Sequence, residues 1–85
     1  MAKRVEYSRE AARTLSRIDA ATSKRIRAKM QQLATDPASL AANVKALKGG
    51  AGLRRLRVGD WRVIYTETLV VVAVHNVGPR GSAYD

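Results

Sequence analysis

From Leu53 onward the chain alternates. Leu56 and Val58 fall on one face of an extended segment and Arg55 and Arg57 on the other, the period of two that marks a strand with one side buried. Gly59-Asp60 suits a tight turn, which makes Trp61 to Thr66 the returning strand of a hairpin. The run from Thr68 to Val77 is almost wholly aliphatic and predicts a central strand covered on much of both faces.

The first half follows a different period. Residues 3–7, KRVEY, alternate charge with Val5 and Tyr7 and predict a short first strand. Ser8 offers an N-cap, with Glu10 near the positive end of the helix dipole. Ala11, Leu15 and Ile18 then form one apolar stripe of a helix reaching to about Asp19. Asp19 to Thr22 reads as the cap of a second helix, in which Ile26, Met30 and Leu33 repeat the spacing. Two amphipathic helices joined so tightly predict an antiparallel hairpin. Asp36-Pro37 ends the second, because proline disfavours helical geometry in the residue before it. Residues 37–52, rich in Ala and Gly, read as a loop, with Gly49-Gly50-Ala51-Gly52 a flexible approach to the basic strand.

The predicted order is β-α-α-β-β-β, an α+β domain with the helical hairpin packed on one face of a small antiparallel sheet. The other face is left to Arg55, Arg57 and Arg62. A chain of 85 residues is expected to form one domain, residues 1–85, near the lower limit for a self-sufficient core.

Charge changes the picture. Sixteen Lys and Arg against seven Asp and Glu give +9, far beyond what solubility needs and suited to a polyanion or an acidic protein. No cysteine is present, so a disulfide framework and a thiolate metal site are both excluded, and the reducing cytoplasm is the expected compartment. No apolar run is long enough to span a bilayer, so no membrane role is expected.

The chemistry on offer is narrow. With a single histidine, His75, and no paired carboxylates, a His-Asp relay or a glycosidase dyad lacks support. Scattered acids give no metal site, the glycines of GGAG lack the Lys of a phosphate loop, and no cofactor is expected. His75 is assigned a structural role inside its apolar strand, and Trp61 and Tyr65 are assigned to the core beside Val63. Lys24, Arg25, Arg27 and Lys29 would ordinarily be a solvated helix face. The arginines of the hairpin differ, because three guanidinium groups on one sheet patch repel unless an anion offsets them. Guanidinium forks match phosphate oxygens and can stabilise a dianionic phosphorane. Pattern alone leaves catalysis and simple phosphate binding both open.

The stretch KALKGGAGLRRLRVGDWRVIY, the aliphatic strand after it, and the closing VGPRGSAY resemble the RelE/ParE superfamily of bacterial toxins. The resemblance runs over essentially the whole chain. It implies a β-α-α-β-β-β fold and, for the RelE-like branch, a ribosome-dependent nuclease that cuts mRNA in the A site by attack of the 2′-hydroxyl, without metal. The ParE-like branch instead poisons DNA gyrase. The resemblance places catalytic roles on Arg55, Arg57, Arg62, Arg80 and Tyr84: the arginines hold the phosphate and stabilise developing charge, and Tyr84 orients the substrate or assists the 2′-hydroxyl. Candidates for RNA or ribosome contact are Lys45, Lys48, Arg54, Arg25 and Lys29.

Two departures stand out. Well-studied members often carry Lys where this chain has Arg55 and Arg57, and guanidinium does not give up its proton. Many relatives have Gly-His-Arg-Arg where this chain has Gly78-Pro79-Arg80-Gly81, and a C-terminal helix found in some members is not expected beyond Asp85. The implied partners are the ribosome with its 16S rRNA, mRNA, and a cognate acidic antitoxin that folds on binding, the complex repressing its operon through operator DNA. A gyrase inhibitor, or a basic module whose catalysis has decayed, are the alternatives.

Overall fold

In the computed structural model, which describes residues 2–49 and 52–79, the N-terminal alternation forms β1 (Arg4–Tyr7). Ser8 then stops the strand and starts α1 (Arg9–Arg17): its hydroxyl accepts from the Ala11 amide at 3.0 Å and donates to the His75 carbonyl at 2.7 Å. One side chain thus caps the helix and ties its start to the sheet. Two residues later Asp19 caps α2 (Ala20–Thr35) by accepting from the Thr22 amide at 2.9 Å. Hydrogen bonding to the Thr22 side chain, and then to its amide, holds the Asp19 carboxyl below its ordinary pKa.

Residues 37–49 hold more than a loop, while Gly50 and Ala51 of the expected flexible approach lie outside the described residues. Pro37–Asn43 forms a 3-10 helix with proline at its start, anchored by buried Leu40, and Val44–Ala46 forms a short strand, β2. The 3-10 helix is tied to α2 through Gln32, whose amide donates to the Ser39 hydroxyl at 2.9 Å. Three residues are too few to show a period, which is why β2 was not expected. β3 (Arg54–Val58), β4 (Trp61–Glu67) and β5 (Val71–Pro79) follow. The β3–β4 turn needs Gly59, which sits at a φ of 59°.

The sheet has five strands in the order β1-β5-β4-β3-β2. The expected α+β class holds, with one difference: β1 pairs with β5 in parallel, so the sheet is mixed. The chain leaves β1 through the helices and returns to insert its last strand between the first strand and the hairpin, a pairing no local pattern encodes.

Ala11 and Leu15 from α1, Ile26, Met30 and Leu33 from α2, and Leu56, Val58, Val63, Tyr65, Val72, Val74 and Val77 from the sheet form one buried cluster. Each fully buried aliphatic side chain contributes about 1.5–3 kcal/mol, so this layer outweighs every polar contact in the molecule. Trp61 packs against the cluster, and Tyr65 is within it, as expected. Burial raises the Tyr65 pKa to about 12, with Glu67 adding to the effect.

β5 corrects a second expectation. Val72, Val74 and Val77 face the core, but His75 is exposed and Val71 and Ala73 are only partly covered, so the strand is not buried on both faces. Leu69 and Val70 belong to the preceding turn and are 93% and 64% exposed.

Candidate functional site

Alternation along β3 sends Leu56 and Val58 inward and Arg55 and Arg57 outward, and the hairpin brings β4 alongside in matching phase. The register sets Arg57 directly opposite Arg62. Directly opposed residues of an antiparallel pair have Cα atoms about 4.5–5.5 Å apart, so two guanidinium side chains leave the sheet side by side. Gly78 lies opposite Arg62 on β5 and adds no side chain there. The next row across the sheet is Lys45, Arg55, Ile64 and Asn76. Among the described residues both helices pack on the opposite side, and this face is itself partly covered, with Ile64 3% exposed and Arg55 half-buried.

Arg57 is exposed, whereas Arg62 is only 7% exposed. Neither Arg55 nor Arg57 forms an ion pair among the described residues, where the acids that do pair are Glu6 and Glu67. The Arg55 Nε is buried and has no hydrogen-bond partner among the described residues. A buried donor left unsatisfied is costly, and a phosphate oxygen would satisfy it. No group of three or more His, Cys, Asp or Glu that could hold a metal ion occurs among the described residues.

The remaining expected residues divide. Lys45 joins the basic face through its pairing with Arg55, and Lys48 is exposed in the loop after β2. Arg54 does not join it: it pairs with Tyr65 in register, faces the helix side, and lies 4.0 Å from Glu67. With Tyr65, Glu67, Leu33 and Val44 it lines a recess of about 320 Å³ beside the 3-10 helix. Arg25 lies at the end of the hairpin, its guanidinium against the β3–β4 turn at Gly59. Lys29 sits one turn further along α2, 3.4 Å from the Gln32 side-chain carbonyl. Arg27 is not simply solvated, since its guanidinium stacks 5.2 Å from the centre of the Tyr7 ring. Arg80 and Tyr84 lie outside the described residues.

One feature of this face was not expected. Between Ile64↔Asn76 and Tyr65↔Val74 the register shifts, leaving His75 as the extra residue of a β-bulge. Its Nε2 is 2.7 Å from the Thr66 hydroxyl, on the strand that carries Arg62. The signal was present in the spacing of the inward valines, which steps by two from Val72 to Val74 and then by three to Val77.

The comparisons with known proteins agree with this architecture. The ParE toxin family of type II toxin-antitoxin systems, parDE, matches residues 5–84. The RelE of the archaeal RelE-RelB complex from Pyrococcus horikoshii is 28% identical, with a TM-score of 0.79 over 98% of this chain and 100% of that one. Escherichia coli YafQ, at 18% identity, shares the fold with a TM-score of 0.76 over 98% of this chain and 99% of its own. A double mutant of E. coli RelE in the free state, at 20%, does so with 0.78 over 98% and 88%. No curated protein sequence gives a significant match. With the family match spanning almost the whole chain and RelE and YafQ toxins as structural neighbours, the chain belongs to the RelE/ParE superfamily of type II toxin-antitoxin toxins.

Proposed function

We propose that this toxin is a ribosome-dependent endoribonuclease that cuts mRNA in the A site without a metal ion. The observation that carries the reading is the Arg57–Arg62 pair, opposed across the hairpin on a sheet face where Arg55 and Lys45 add further charge. Arg55 and Arg57 have no ion pair among the described residues, and a phosphodiester would supply the missing countercharge. In the reaction the 2′-oxygen bonds to phosphorus as the hydroxyl loses its proton, the P–O5′ bond breaks, and the leaving 5′-oxygen takes up a proton. Two negative charges gather on the phosphorane, and fixed guanidinium groups stabilise them without reorganising. Arg62, buried and held, is suited to the phosphate itself. Arg57, exposed, is suited to capturing the incoming strand.

Guanidinium does not deprotonate, so the arginines cannot relay the proton. The role of the ribosome follows from this: a site without a strong base depends on a message held in line for attack. Arg80 and Tyr84 complete the proposed set through the superfamily resemblance. The partner that silences the toxin is an acidic antitoxin, as the P. horikoshii relative is held in a complex with RelB, and the complex would bind its own operator DNA.

A second reading, a gyrase inhibitor without nuclease chemistry, draws on the family match itself, which is to ParE. Both are tested by adding the protein to a translating extract and mapping mRNA 5′ ends. Cuts at A-site codons that vanish in Arg62→Ala or Arg80→Ala, with melting temperature retained, support the nuclease. Intact mRNA with gyrase-dependent DNA breaks supports the inhibitor.

A further inference from the structure

Helix α1 carries Arg9, Arg13 and Arg17, all exposed, at steps of four residues. Each step climbs about 6 Å, on the scale of successive phosphates along a nucleic-acid strand. At about 100° per residue this ridge points directly away from Ala11 and Leu15, which face the core. It therefore looks out from the side of the molecule opposite the Arg57–Arg62 face.

Only Arg17, in the last turn of α1, is favoured by the helix dipole. Arg9 occupies the first helical position, where the dipole favours an acid, and like charges four residues apart repel. Glu10 and Thr14 are the other polar groups on the shallow recess of about 500 Å³ along this face, and none of the three arginines forms an ion pair among the described residues. An anion from outside would supply the countercharge.

We infer that the α1 ridge is a second nucleic-acid site, which grips the phosphate backbone of structured ribosomal RNA while the opposite sheet face holds the message. The inference rests on the RNA reading above. A protein partner suits this ridge less well, because a protein interface has an apolar centre and the exposed large apolar side chains among the described residues, Leu69 and Val70, lie in the β4–β5 turn. The molecule measures 30 × 28 × 24 Å, which leaves room for separate RNA segments on opposite sides. Free mRNA engages one face, whereas the ribosome offers a strand to each, which is a structural reason for ribosome dependence.

The test compares the full chain with R9Q/R13Q/R17Q and with the triple Lys variant, measuring co-sedimentation with programmed ribosomes across a salt series and the kinetics of message cleavage. Removal of two or three phosphate contacts lowers the slope of log affinity against log salt by about 2, and affinity at moderate salt by about tenfold or more. The Lys variant, which keeps the charge, retains the slope. The loss in cleavage falls on KM rather than kcat. Unchanged ribosome affinity and slope in the Gln variant overturn the inference, as does an equal loss of affinity for polyglutamate, which would mark a generic cationic surface. Because binding is read apart from cleavage, a protein that binds ribosomes through the ridge but cuts nothing refutes the nuclease reading alone.

Discussion

Replacing Arg57 with Gln should stabilise the fold while impairing the toxin. Arg57 stands directly opposite Arg62 and has no ion pair among the described residues. If the charges keep the spacing of about 5 Å that the Cα atoms of such pairs have, they repel by about 0.8 kcal/mol in water, more at a lower local dielectric and less where Arg62's own interaction offsets its charge. Arg62 is only 7% exposed, which favours the larger value, but exposed Arg57 can swing away and salt screens the pair. The net expectation is a gain of about 0.5 kcal/mol, within the usual range for cross-strand pairs. For a domain this small that raises the melting temperature by about 2–4 °C. Thermal melts of both proteins at 20 mM and 500 mM salt, roughly bracketing one Debye length of screening, should show the gain at low salt and its loss at high salt. Cleavage on programmed ribosomes should fall in parallel. If Arg57→Gln melts lower than the parent at low salt and cuts equally well, the electrostatic argument for the basic face fails.

Three further outcomes follow from the same structure. Ser8→Ala removes the α1 cap and the bond to the His75 carbonyl and should cost about 1 kcal/mol in urea titrations, with the slope unchanged. Gly59→Ala forces a Cβ into a left-handed turn 3.2 Å from Arg25 Nη1 and should cost about 1–2 kcal/mol, with Gly59→Asn recovering part of it because Asn tolerates that conformation. Tyr65 has a folded pKa raised from 10.0 to about 12, so the unfolded chain releases its proton first as pH rises; the stability it confers is complete below pH 10 and is lost between about pH 10 and 12. That loss amounts to roughly 2 kcal/mol, and urea titrations across this window should show it absent in Tyr65→Phe.

Much of the molecule was legible locally. The caps at Ser8 and Asp19 and the stop at Asp36-Pro37 depend on neighbours within four residues, and the structure uses each as the sequence predicts. Alternation in β3 assigned Arg55 and Arg57 to one face because a strand's period is independent of its partners. The same alternation sends Arg54 to the helix side, away from Arg55 and Arg57. The exposure of His75 was written in the valine spacing but masked by the apolarity around it.

By itself, the sequence determined the helices, the hairpin, the two faces of β3 and the excess of positive charge, since each follows from contacts or periods a few residues long. Tertiary structure alone decided that β1 runs parallel to β5, that three residues after the 3-10 helix become an edge strand, and that Arg25 reaches the β3–β4 turn. Those outcomes rest on which distant segments share a hydrogen-bond ladder and a buried layer. Neither the direction nor the order of strands in a sheet leaves a periodic trace along the chain.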